Sequence, residues 1–408
     1  MQMTSRRMLS RMVLAIVIGP FFSDASYSDD HIRVIGDGGG GFAPAVVVSD
    51  AELIHTTQLF PISQDSELIG GGDPATQIDR VMNDLVNVLA ACDARPEDIV
   101  KLNVYLADES ASEATLTSLK RQFGEHSRPA VTFVTTKLPV EGALIAVDAV
   151  AARTPQADSN QVERRHVDTS GGRDKLAHVS VVPQGDVIFI SGQAEPADNL
   201  EEATQKTLAG LARTLEHLDL DLDDVAQVKC FLQPMSDADA AYRAAEEFFG
   251  DQLVPPISCV EWISSYPNEI EMVVHAPATE SSETVDYAWL PWLSESPVYC
   301  RLTRVRGGTL IYTSGFFGDM RSNESEQVAD VFGQLQRTLE LGGSDLRHMA
   351  KATYYVSNEE ASGRVNEIRP TLYDPQRPPA ASKALVYGVG FPGRHVTIDM
   401  IAAPTAGE

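Results

Sequence analysis

The chain has 408 residues, more than one hydrophobic core organises, since cores stop growing near about 250 to 300 residues and domains cluster at roughly 100 to 150. With 43% hydrophobic and 22% charged residues its composition is globular, without the bias of a disordered or fibrous chain. The 58 acidic against 32 basic residues leave a formal charge of -26, a field that repels phosphate backbones and anionic membranes, so no nucleic-acid partner is expected.

The first 30 residues carry Arg6, Arg7 and Arg11 ahead of an apolar run from Met12 to Phe22 and small residues near Ala25. That run is too short to span a bilayer and suits the apolar part of an export signal. Ser5-Arg6-Arg7-Met8-Leu9 resembles the bacterial twin-arginine signal, with Met where that pattern has Phe. The expected product is therefore exported, periplasmic or extracellular, without stable membrane insertion. The other reading is a start placed too far upstream, which leaves the protein cytoplasmic. Residues 1–30 are set aside as signal or leader. Residues 36–41, GDGGGG, match a dinucleotide-loop pattern, but FAPAVVV follows in place of a helix, so a flexible lead-in is expected.

From residue 31 onward the pattern repeats. PEDIVKLNVYL (96–106), LDDVAQVKCFL (222–232) and LRHMAKATYYV (346–356) each lead from polar residues into an alternating strand. Their anchors Ile99, Val225 and Met349 lie 126 and 124 residues apart, while Pro139, Pro267 and Pro392 are spaced 128 and 125. Three copies of one unit are implied. Ahead of the strand each copy has a helical stripe: Ile78, Val81, Met82, Leu85 and Leu89; then Leu208, Leu211, Leu215 and Leu218; then Val328, Val331, Phe332, Leu335 and Leu339. After it come a second helix and two strands joined by a Pro-containing loop, and two strands precede the first helix, VVVS and LIHTT in copy one. Each copy reads β-β-α-β-α-β-β, an α+β unit whose sheet is covered by its helices on one face and by neighbouring copies on the other. The units span 31–153, 175–278 and 285–405, with polar linkers at 154–174 and 278–284.

Two of the early strands end alike, IFISGQ at 188–193 and IYTSG at 311–315, and copy one shows Thr56-Thr57 at that place. Glycine lacks a Cβ and lets backbone approach a ligand closely. Cys92, Cys230, Cys259 and Cys300 show no metal-ligand spacing and are expected as buried thiols. DLDLDD (219–224) lacks the glycine of a calcium loop and has Cys230 where its bidentate Glu belongs, so a polar turn is expected. The nine histidines form no HExxH or Ser-His-Asp order. No metal and no cofactor are expected.

These residues resemble the Rid family (YjgF/YER057c/UK114) of reactive-intermediate deaminases. The likeness rests on Ser191-Gly192-Gln193, LDDV at Leu222 to Val225, FFG at 248–250, SCVE at 258–261 and KLP at Lys137 to Pro139, and it extends through residues 31–405. It implies a chorismate-mutase-like (YjgF-like) fold. Family members look like homotrimers with inward-facing sheets and ligand clefts between subunits, so three fused copies imply an intramolecular pseudo-trimer, a monomer in solution.

The resemblance further implies hydrolysis of enamine and imine acids to keto acids and ammonia. An arginine clamps the substrate carboxylate, and an acidic group in the last strand positions water. The arginine normally stands in Pro-Ala-Arg-Ser. Here the matching segments are Pro256-Ile257-Ser258-Cys259, Pro379-Ala380-Ala381-Ser382 and Pro129-Ala130-Val131-Thr132, which put Ile257, Ala381, and Val131 or Ala130 at its position. Arg128 and Arg377, just upstream, are either replacements from a shifted register or solvated loop residues. Asp148 and Asp399 match the acidic position and are the catalytic candidates, or else partners of buried amides. Copy two has Val274 or His275 there, or Glu271 if its loop is shortened. Candidate ligand contacts are Ser191, Gly192, Gln193, Ser314, Gly315, Thr56, Cys259, Arg128 and Arg377. Two functions follow: hydrolysis of a reactive imine, enamine or related small amide in a rebuilt cleft, or non-catalytic binding of a small metabolite, which the missing arginine favours. Ribonuclease activity, attached to some relatives, is disfavoured by the negative charge and the lack of a basic aromatic patch.

Overall fold

The computed structural model describes residues 31–36, 42–123, 128–156, 160–167 and 171–405. The expected leader and most of GDGGGG lie outside them. The chain forms β1 (Ile32–Ile35), β2 (Ala45–Val48), β3 (Glu52–Thr56), α1 (Pro74–Ala90), β4 (Ile99–Leu106), α2 (Ser112–Phe123), β5 (Ala130–Thr135) and β6 (Ile145–Arg153). The pattern recurs in β7 (Glu163–Arg165), β8 (Val179–Val182), β9 (Asp186–Gln193), α3 (Leu200–His217), β10 (Val225–Leu232), α4 (Ala238–Phe249), β11 (Ile257–Glu261) and β12 (Asn268–Ala276). The third round is β13 (Val285–Ala288), β14 (Leu302–Val305), β15 (Leu310–Thr313), α5 (Glu324–Leu341), β16 (Met349–Val356), α6 (Glu359–Leu372), β17 (Ala380–Leu385) and β18 (Val396–Ala402).

Three six-stranded sheets result, ordered β5-β4-β6-β3-β8-β7, β11-β10-β12-β9-β14-β13 and β17-β16-β18-β15-β2-β1. The expected three α+β units are present, with one feature the strand pattern did not convey. The outer two strands of each sheet come from the following stretch of chain, and those of the third sheet come from the N-terminal stretch. Ser49, Asp50 and Ala51 are all that separate β2 from β3, yet β2 pairs with β15 and β3 with β8. A segment that looks like a hairpin is a strap between sheets. The composition of β2 explains why it needs such a place: Val46 and Val48 enter the central cluster, while Ala45 and Val47 pack with Val328, Val331 and Phe332 of α5. A strand apolar on both faces requires cover on both. The N-terminal strands thus close the ring onto the third copy.

The helices cover the outer faces. Asp73 caps α1 by accepting from the Ala75 and Thr76 amides, with Pro74 in the first turn, and Asn199 and Asn323 cap α3 and α5. The predicted α1 stripe, Ile78, Val81, Met82, Leu85 and Leu89, is wholly buried in the first core. Five such side chains contribute on the order of 10 kcal/mol gross, before chain entropy is subtracted.

The inner faces of the sheets meet on a pseudo-threefold axis. At one end Tyr105, Phe231 and Tyr355, which hold equivalent places in β4, β10 and β16, pack together with Val134, Val260 and Ala384. At the other end Val48, Val182 and Val305 join Leu53, Val187 and Leu310. Among the described residues no helix is long and apolar enough to cross a membrane.

Candidate functional site

Between the two apolar ends lies a charged layer. Lys101 Nζ donates to Thr132 at 2.7 Å and to the Thr313 carbonyl at 2.6 Å, and pairs with Asp399 at 2.9 Å. Lys351 Nζ lies 2.7 Å from Glu271 and donates to Thr353 at 2.8 Å. Asp148 accepts from Asn103 at 2.8 Å, from Ser258 at 2.6 Å and from the Tyr105 hydroxyl. Lys229 makes no hydrogen bond or ion pair among the described residues, and its ammonium stands 5.4 Å from the Tyr355 ring centroid. Burial pushes the Asp399 carboxyl up, but the lysines, Lys101 first, outweigh it and hold the group below its ordinary value. His55, buried beside Gln227, is pushed down to about 4 by burial and is neutral at physiological pH. Both carboxylates expected as catalytic, Asp148 and Asp399, are spent in this layer on partners from other strands.

Strand register aligns the copies. Asn103, Lys229 and Thr353 face Asp148, Glu271 and Asp399 respectively, so the third acid of the layer is Glu271, and Val274 and His275 are displaced from that role. The same register places Val131, Ile257 and Ala381 at the clamp position; Ala130 sits one residue too early. It also corrects the reading of copy one. Thr57 and Gln58, and not Thr56-Thr57, correspond to Ser-Gly: the Gln58 amide donates to the Ile257 carbonyl at 3.0 Å, as the Gly315 amide does to Val131 at 3.0 Å. Thr56 instead turns inward and accepts from the Ala149 amide.

Three clefts follow, each between the Ser-Gly position of one copy and the penultimate strand of the next. The serine explains half of the recurring motif. Ser191 Oγ donates to the Cys300 carbonyl at 2.6 Å and accepts from the Ala381 amide at 2.8 Å, and Ser314 repeats this with Ala43 and Val131. It stitches two segments together. The glycine leaves room, and the copies use that room differently.

In the first–second cleft Gln58 fills it. Its side-chain amide donates to the Cys259 carbonyl at 3.2 Å and accepts from the Cys259 amide at 3.1 Å. The Cys259 thiol, 1% exposed, reaches the Tyr242 hydroxyl at 3.4 Å. A cavity of about 270 Å³ remains beside it, lined by Phe60, Arg173, His178 and Tyr242 among others.

In the second–third cleft Glu269 takes the space. A methyl placed on Gly192 would lie 2.1 Å from Glu269 Oε1. Gly192 and Glu269 are the only residues of their strands not fully buried. Burial pushes the Glu269 carboxyl up to about 7; a Ser382 hydrogen bond and the Arg301 charge work against this, and neighbouring Glu271 with it. Ser382 Oγ donates to Glu271 at 2.8 Å. Arg301 is held by the Ser294 carbonyl at 2.9 Å and lies 5.1 Å from the Tyr299 ring. A carboxyl poised near neutrality and facing a bare backbone can take a proton from water and return it.

In the third–first cleft a methyl on Gly315 would lie 2.5 Å from Thr397 Oγ1, but beyond it the cleft opens as a cavity of about 670 Å³ lined by Ser314, Gly315, Phe42, Phe133, Phe317 and Phe391 among others.

The remaining candidates fall elsewhere. Gln193 turns to Thr214 on α3 at 3.1 Å. Arg377 pairs with Glu283 at 2.7 Å in a surface loop, and Arg128 lines neither of these two cavities. Glu269 and Gln58 were missed by the sequence reading. Glu269 has Ala146 and Thr397 at its equivalent positions, so no repeated letter marks it. No three His, Cys, Asp or Glu gather as a metal site among the described residues.

The sequence profile of the family described as Endoribonuclease L-PSP matches residues 40–153, 175–278 and 298–404. Among solved structures, the chain is similar to YyfB of Yersinia pestis, described as a protein of unknown function of the conserved Rid family, at 24% identity and a TM-score of 0.29, over 30% of this chain and 99% of that one. It is likewise similar to a YjgF family protein of Neisseria meningitidis, at 24% identity and 0.23 over 31% and 100%, and to yeast Mmf1, at 17% and 0.24 over 30% and 98%. No curated protein matches the chain. With three profile matches in tandem covering most of its length, and one YjgF-like sheet per match, the chain belongs to the Rid (YjgF, L-PSP) family as three fused copies.

Proposed function

We propose that the chain hydrolyses a small imine, enamine or related amide in the second–third cleft. The observation that carries this reading is Glu269, a partly exposed residue packed against Gly192, whose carboxyl burial raises to about 7. As carboxylate, Glu269 takes a proton from the water that attacks the C=N carbon, and the proton returns to nitrogen. The carbinolamine so formed collapses to a carbonyl compound and ammonia. Arg301 supplies a cation beside this carboxyl, where Ala381 supplies none. The test is ammonia release from imino acids generated by an amino-acid oxidase. The full chain should turn over, Glu269→Gln should lose at least 100-fold, and Asp148→Asn, if folded, should keep most activity. Equal rates in wild type and Glu269→Gln would remove Glu269 from the chemistry.

Non-catalytic ligand binding is the second reading, and the third–first cleft favours it. That cleft has the larger cavity, while its own acid, Asp399, is tied to Lys101.

A further inference from the structure

The plugged cleft shows what an open one takes. In β11 alternate residues turn their backbone groups outward: the Ile257 amide to Thr57, the Cys259 amide and carbonyl to Gln58, the Glu261 amide to Thr136. Gln58 is therefore a primary carboxamide bound by the chain itself, oxygen on one N–H and nitrogen on the adjacent C=O. In the third–first cleft the same edge is presented by β5. The Val131 amide bonds Ser314 and the Thr135 amide bonds the Gly388 carbonyl. Phe133, between them, is the equivalent of Cys259. Gly315 stands where Gln58 does and has no side chain, and no described residue takes the Phe133 pair across the cleft.

Two further observations bear on the occupant. Thr397 Oγ1 is fully buried without a hydrogen-bond partner, 2.5 Å from where a Cβ on Gly315 would sit. Such an orphan is costly unless a ligand or water pairs with it. The walls are aromatic, and the clamp position holds Val131 where a carboxylate would need an arginine. The charges lining the cavity are Glu113 and Arg394, and Arg394 lies close enough to the Asp319 carboxylate to help hold it down, after Arg321.

We propose that the third–first cleft binds a neutral aromatic carboxamide, its amide paired with the Phe133 N–H and C=O as Gln58 is paired with Cys259. The inference concerns a different cleft from the hydrolytic one and does not rest on it. Calorimetric titration of the full chain with benzamide and with its isostere benzoate tests it. Benzamide should bind at least tenfold more tightly. Gly315→Gln, which gives this cleft its own carboxamide, should weaken benzamide at least tenfold, whereas Glu269→Gln should leave it unchanged. Because Thr397 crowds that substitution, Gln58→Gly provides a second arm: it opens the first–second cleft and should add one benzamide site per chain. Benzoate binding as tightly as benzamide, or benzamide binding indifferent to both Gly315→Gln and Gln58→Gly, would overturn the proposal.

Discussion

Glu269 and the axial charges show how one residue type serves two ends. Glu271 is buried and paired with Lys351, whereas Glu269, two residues earlier on the same strand face, is only partly buried as a residue and has no lysine. Ionising Glu269 therefore works against folding. Its folded value near 7 lies above the ordinary 4.5, so the cost accrues as pH rises from about 4.5 to 7 and is constant above. Glu269→Gln should raise stability at pH 8 by about 1 to 3 kcal/mol and leave it unchanged at pH 4, read as denaturation midpoints. Turnover, if Glu269 acts as the base, should rise with pH through about 7. Lys351→Met strands the Glu271 charge and should cost about 3 to 5 kcal/mol in urea unfolding. Lys229→Met breaks no ion pair and should cost about 1 to 2 kcal/mol. Equal costs would mean that charge pairing does not organise the layer. The acids were only partly legible in the sequence. Asp148, Glu271 and Asp399 follow their loop prolines by 9, 4 and 7 residues, so the resemblance matched two directly and left the third open among Val274, His275 and Glu271. Cross-strand register, which sequence spacing does not carry, settles it.

The elements were more legible than their partners. Helix stripes and alternating strands depend on neighbours within a few residues, and all three copies show them where the period places them. Strand exchange is different, because two short apolar strands three residues apart match a hairpin and a strap equally well. Burial decides: β2 has apolar residues on both faces and, paired with β15, is covered by α5 on one face and by the central cluster on the other. A chain starting at Asp50 should therefore lose two strands of the third sheet and uncover Ile311 and Tyr312. It should melt at least 10 °C lower or aggregate, measured by thermal scanning at matched concentration; an unchanged transition would show that the N-terminal strands do not close the ring. Gln58 belongs to this scale as well, since only the register shows that it occupies the glycine position.

At the scale of the whole molecule, fusion frees the clefts from being identical. One is filled by Gln58, one holds a carboxyl near neutrality, and one is an open aromatic cavity. Since each sheet borrows strands from the adjacent segment, one chain completes its own three interfaces, and its mass in solution should be that of a single 44.2 kDa chain by light scattering. Three times that mass would mean the copies pair between chains. The strong negative charge should disfavour RNA as a partner, and binding of RNA by the full chain at low salt would contradict this expectation.

The most direct test of the divergence is to block the two glycine clefts separately and follow ammonia release from oxidase-generated imino acids. Gly192→Gln collides with Glu269 and should abolish turnover, while Gly315→Gln fills the other cleft and should leave the rate within about twofold of wild type. Turnover that survives Gly192→Gln, or is lost only in Gly315→Gln, would contradict the account and move the chemistry to the third–first cleft.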